Sequence, residues 1–151
     1  MVFSLHKEDL LKLEVNGIIH LQNVEEDKTL NLEELYQKLI KDLKCLNLPV
    51  EEVTIKLRPY SETYYGRYFP DKQRLFIYPF KNREGTIMSY TMILCTTIHE
   101  MVHHIQHQDP TFKRKKGVMH DPQFWKLYNH FIDRAVKLNI VTSEEVERFG
   151  S

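Results

Sequence analysis

Residues 97–104 read TIHEMVHH, and the five from His99 to His103 spell H-E-x-x-H. On a helix, side chains four apart lie about one turn apart on one face, so the imidazoles of His99 and His103 can converge on a single metal ion. Glu100 sits one position further round, close enough to hold a metal-bound water without ligating the ion, which is the place of a general base. Zinc lowers the pKa of such a water toward roughly 7, and a carboxylate beside it takes the proton as hydroxide attacks a carbonyl. Peptide-bond hydrolysis is the chemistry expected of the pattern. Three fixed positions in five can also arise by chance on a histidine-rich helix, so the surroundings must carry the assignment. The preceding run IMSYTMILCTTI does so: it makes the helix mostly buried, and buried His and Glu are costly unless paired or bound to metal.

A third ligand has two candidates. His107 lies on the same helix, about 12 Å along the axis from His99 at 1.5 Å per residue, too far for three side chains of one straight helix to close a tight site. His120 lies beyond a loop and directly precedes Asp121-Pro122, where Asp as cap and Pro at the first helical position mark a helix start. A separately positioned element can then close over the first, so the expected ligands are His99, His103 and His120. His107 reads as a partly exposed polar residue at the helix end, and His104, pointing off the metal face, reads the same way; either could border a substrate cleft.

The elements that must position these residues are visible as periodicities. LNLEELYQKLIKDLKCLNLP places Leu32, Leu35, Tyr36, Leu39, Ile40, Leu43 and Leu46 at helical spacings, with Asn31 as cap and Pro49 as stop. LEVNGIIHLQNV, interrupted by Gly17, fits a short strand or a turn. VTIKLRP alternates with period two, and TYYGRYF and RLFIYPF flank a PDKQ turn, which predicts a small antiparallel sheet over residues 53–80 with Pro-Asp at a hairpin tip. A long apolar helix is expected over 82–108, a basic loop at KRKKG, a closing helix over DPQFWKLYNHFIDRAVKLNI, and a last turn or two beginning at Thr142 or Ser143.

IHEMVHHIQH followed by GVMHDPQFWKLYNHF resembles the SprT-like family of zinc metallopeptidases, which pair a helical H-E-x-x-H with a third histidine in a downstream H-G-x-x-F-like segment. The upstream YYGRYFPDKQRLFIYPF is similar to that family's small sheet. The resemblance spans about residues 30–138 and implies an α+β, zincin-like fold: an N-terminal helix, a small sheet, a zinc helix and a closing helix. It implies one zinc held by His99, His103 and His120, with Glu100 as catalytic base. Asp121 stands where the family often has Gly, and no paired-cysteine zinc ribbon follows. The family's better-known members digest proteins crosslinked to DNA.

At 151 residues with 42% hydrophobic content, the chain has material for one core, so residues 1–151 are expected to be a single domain. Zero formal net charge gives no global attraction to nucleic acid or membrane, which leaves only Lys113, Arg114, Lys115 and Lys116 as a local nucleic-acid contact, or simply as solvated charge. No basic leader with an apolar run is present, and Cys45 and Cys95 read as buried free thiols, consistent with a cytoplasmic protein that does not enter membranes. The aromatics of the sheet read mostly as packing, with residues near Gly66 as possible lining of a substrate-binding edge. Phe124, Trp125 and Tyr128 read as core that seats the closing helix, and Tyr128 and Tyr78 are candidates for steadying a tetrahedral intermediate. The expected activity is zinc-dependent endopeptidase action on a protein or peptide, with DNA-associated proteins among possible substrates. The competing reading is a zinc-stabilised adaptor for nucleic acid or protein, which would have no use for Glu100.

Overall fold

The computed structural model describes residues 2–6, 31–111 and 119–148. The chain order is β1 (Phe3–His6), α1 (Leu32–Cys45), β2 (Thr54–Leu57), β3 (Tyr64–Phe69), β4 (Arg74–Ile77), α2 (Tyr90–Gln108), α3 (Pro122–Lys137) and α4 (Ser143–Glu147). It is a mixed α+β architecture: the four strands form one sheet in the order β1-β3-β4-β2, and α2 packs against β1, β3 and β4.

Each helix starts and stops for a local reason. Asn31 caps α1 by accepting from the Glu34 amide at 2.8 Å, and Leu35, Leu39 and Leu43 form its buried stripe. It ends before Pro49 because Asn47 takes a left-handed conformation, φ 63°. The Leu48 and Asn47 amides then bond back to Leu43 and Lys44, the paired closure that a left-handed residue permits. Asn139, φ 60°, closes α3 in the same way, with bonds from Ile140 to Ala135 and from Asn139 to Val136. Thr142 and Glu145 make a reciprocal capping box at the start of α4.

Three expectations are corrected. The long helix begins at Tyr90, not near residue 82: Gly85 is left-handed (φ 89°), Phe80 bridges to Ile87, and the Ser89 side chain accepts from the Met92 amide as the true cap. The sheet is mixed, not antiparallel. β3 and β4 form the expected antiparallel hairpin around Pro70–Lys72, with Gln73 left-handed at its end, but β2 pairs with β4 in parallel. The segment after β2 carries the chain past the position β4 will occupy, so the returning hairpin strand runs alongside β2 in the same direction. Finally, β1 pairs antiparallel with β3, a strand not anticipated although VFSLH alternates in type. The ambiguous LEVNGIIHLQNV segment lies outside the described residues.

The core is one cluster drawn from α1, the sheet and α2–α4. Residues 91–104 of α2 are buried on every side, as the apolar run before the motif required. No helix among the described residues is long and apolar enough to cross a membrane.

Candidate metal centre

His99 and His103 project from the middle of α2, and His120 enters from the residue pair preceding α3. The capping residue Asp121 accounts for that placement. One of its oxygens accepts from the Phe124 amide at 2.7 Å, starting α3, and from Gln106 Nε2 at 3.4 Å, tying the cap to the last turns of α2. Fully buried Phe124 then packs against all three imidazoles, with ring centroids 4.9, 4.7 and 4.8 Å from His99, His103 and His120.

His120 Nε2 stands 3.2 Å from His103 Nε2 and 3.1 Å from His99 Nε2. A tetrahedral ion with Zn–N bonds of about 2.0–2.1 Å separates neighbouring nitrogens by about 3.3–3.4 Å, so His120 already stands close to that separation from each of the other two donors, and all three lie within 4.8 Å of one another. A shared proton links one pair of ring nitrogens at a time; a cation at their centre serves all three. Among the described residues this is the cluster of His, Cys, Asp or Glu that could hold a metal ion. Burial pushes the His99 imidazole well below its usual pKa, and His120 acts in the same direction, so His99 stays in the neutral form that ligates.

Glu100 is 0% exposed, and neither carboxyl oxygen has a hydrogen-bond partner. Burial drives its pKa well above the usual carboxylate range, against a smaller pull downward from Arg67. An orphaned buried carboxyl is expensive, and a divalent cation with its water beside it would supply both the charge and the donor that it lacks. The donor set and the orphan together fit a metal. Space around Glu100 is set by Gly66: a Cβ there would stand 2.9 Å from Thr96 Cγ2, 3.1 Å from Glu100 Cγ and 3.3 Å from Glu100 Oε2. Glycine is needed at this point of β3 for close approach of strand to helix.

That role replaces the one expected for Gly66. β3 lies inside the sheet, with Gly66 paired to Leu5 on one side and Ile77 on the other, so it offers no edge to a substrate; among the described residues β1 and β2 are the edge strands.

The remaining candidates separate. Tyr128 packs edge-on against the His99 ring, centroids 6.1 Å apart, and burial raises the pKa of both Tyr128 and Cys95, that of Cys95 to about 12. Tyr78 is half-buried, and no ring contact or hydrogen bond links its side chain to the three histidines. His107 is exposed at the end of α2, off the cluster. His104 is fully buried, contrary to the reading of it as a polar residue at the helix end. Tyr68 donates to its Nδ1 at 2.7 Å, and its Nε2 donates to Glu52 at 2.8 Å, so β3, α2 and the turn before β2 are joined through one imidazole. The rest of the chain supplied the two partners that allow this burial, and no local pattern announces them. Trp125 is 37% exposed and so is not the core residue expected, whereas Phe124 and Tyr128 are. Cys45 is exposed, on the face of α1 away from the leucine stripe, and Cys95 is buried; both are free thiols. Lys113, Arg114, Lys115 and Lys116 lie outside the described residues.

Fold and site together define an α+β protein with a three-histidine candidate metal centre and a buried carboxyl beside it. Comparison with family models, with curated proteins and with solved structures found no match.

Proposed function

We propose that the protein is a zinc-dependent peptidase of the SprT-like kind, with a zincin-like fold, acting on extended or unfolded segments of protein. The observation that carries this reading is the convergence of the three Nε2 atoms beside a buried carboxyl whose oxygens have no partner. His99, His103 and His120 would hold the ion. When bound, zinc supplies a Lewis acid that polarises a peptide carbonyl and brings water to a pKa near roughly 7.

Glu100 is not needed as a fourth ligand, and a structural site would have no use for an unpartnered carboxylate. Its role is to take a proton from the attacking water at a carboxylate oxygen and return it to the departing amine. Gly66 keeps β3 close enough to hold that carboxyl in place, and Arg67 favours its ionised form. Phe124 excludes water from one side of the imidazoles, and Asp121 fixes the approach of His120.

Glu100→Gln tests the assignment because it keeps size and removes the proton acceptor. With zinc content unchanged, hydrolysis of an unfolded protein substrate should fall by about two to four orders of magnitude. A Glu100→Gln protein as active as wild type would refute the peptidase mechanism, and a wild type that binds zinc but cleaves nothing would favour a zinc-stabilised adaptor.

A further inference from the structure

Among the described residues four large hydrophobic side chains are exposed: Val2, Met119, Trp125 and Leu138. Two of them flank His120 along the chain. Met119, 38% exposed, directly precedes His120, and Trp125 lies on the first turns of α3. The indole centroid is 5.6 Å from the His120 ring and 6.2 Å from the His99 ring. Phe124 and Tyr128 meet it edge-on at 5.0 and 5.6 Å, with interplanar angles of 87° and 86°. The indole is therefore held in one orientation while more than a third of its surface faces solvent.

Packing does not account for this exposure. Phe124, Tyr128, Phe131, Ile132 and Ala135 already form the buried stripe of α3, and the outward positions Gln123, Lys126, Asn129 and Asp133 are polar. An immobilised aromatic surface beside ligand residues, on a helix face that is otherwise polar, is the arrangement by which a pocket takes an apolar group and orients it.

We propose that Trp125, with Met119, forms an apolar subsite that takes a bulky aliphatic or aromatic side chain of the peptide next to the bond to be cut. This rests on the peptidase reading above. An extended chain advances about 3.3–3.6 Å per residue, so a peptide carbonyl brought to the three histidines puts the side chain one or two positions away over the indole. Trp125 is then a specificity-determining residue, selecting where an unfolded chain is cut, and it plays no part in proton transfer.

The test uses the zinc-loaded Glu100→Gln protein, which binds peptide without consuming it, and two dye-labelled ten-residue peptides identical but for Phe or Ser at the centre. Anisotropy should show the Phe peptide binding about ten-fold more tightly, the return expected for partial burial of one aromatic side chain. Trp125 is the chain's single tryptophan, so its emission should shift to the blue with that peptide and stay unchanged with the other. Adding Trp125→Ser should abolish the discrimination while zinc content holds and Tm falls modestly; should that variant lose zinc, Met119→Ser carries the same arm and should narrow the preference. Equal affinities for the two peptides, discrimination that survives Trp125→Ser, or an emission shift that follows protein concentration without peptide would each overturn the subsite. Zinc content is read first, on wild type: a protein that holds no zinc refutes the metal centre itself, whereas zinc bound with no peptide preference refutes the subsite alone.

Discussion

Gly66→Ala introduces one methyl group at the point where β3 presses on the helix that carries H-E-x-x-H. Its new carbon would lie 2.9 Å from Thr96 Cγ2, closer than such contacts occur, and 3.1 Å from Glu100 Cγ. Both neighbours are buried, and β3 is paired on both sides, so neither strand nor helix yields freely. Overpacking of this kind costs roughly 1–3 kcal/mol, which lowers Tm by roughly 3–10 °C in a domain of this size. Thr96→Ser removes the nearest atom and alone costs about 1 kcal/mol for the lost methyl. The double variant should then be less destabilised than the sum of the two single ones, by about 1 kcal/mol, because the clash and the cavity cancel. Hydrolysis should stay impaired in the double variant, since the contacts to Glu100 remain. Urea unfolding of the four zinc-loaded proteins measures the coupling. A stable and fully active Gly66→Ala protein, or free energies that add to within about 0.5 kcal/mol, would refute the close approach of strand to helix.

His120→Ala should weaken zinc binding by more than the roughly 10–100-fold typical of losing a group that merely supports a ligand, while His107→Ala leaves it unchanged; competition with a chromophoric chelator separates the two. Cys45 should react with a thiol reagent in the native protein and Cys95 only on unfolding, because burial holds its thiol near a pKa of about 12. Partial burial acts to raise the Glu145 carboxyl, but hydrogen bonds from Thr142 and Thr91 outweigh it and hold the pKa below the usual value. A depressed carboxylate contributes stability that is present above its unfolded pKa and lost as pH falls through the folded one. The advantage of wild type over Glu145→Gln in denaturant titrations should therefore shrink below about pH 4.5; an advantage constant down to pH 3 would contradict it.

What could be read from the sequence was what is local. His99 and His103 follow from helical spacing, and His120 from the Asp121-Pro122 start behind it, because a cap and a proline act within one turn. The amphipathic α1 and the Pro70–Lys72 hairpin were legible for the same reason. Pairing direction was not: β2 and β4 are brought side by side by the hairpin between them, and nothing in TIKL records that its neighbour is parallel. The start of α2 is not legible because Ile87 and Met88 carry apolar character that a bridge to Phe80 uses as well as a helix would. Trp125 shares its helical spacing with Phe124 and Tyr128, and only the packed structure separates an indole at the rim from rings in the core. His104 resembles its neighbours in sequence, yet Tyr68 and Glu52, 36 and 52 residues away, are what allow it to be buried.

The central claim is an open zinc site built from three histidines, and X-ray absorption at the zinc edge of the purified protein addresses it directly. The expected spectrum is that of one zinc per chain with three imidazole nitrogens and one oxygen at about 2.0–2.1 Å, and with one imidazole fewer in His120→Ala. A sulfur scatterer near 2.3 Å, a closed shell of four protein ligands, or a protein that retains no zinc would contradict it.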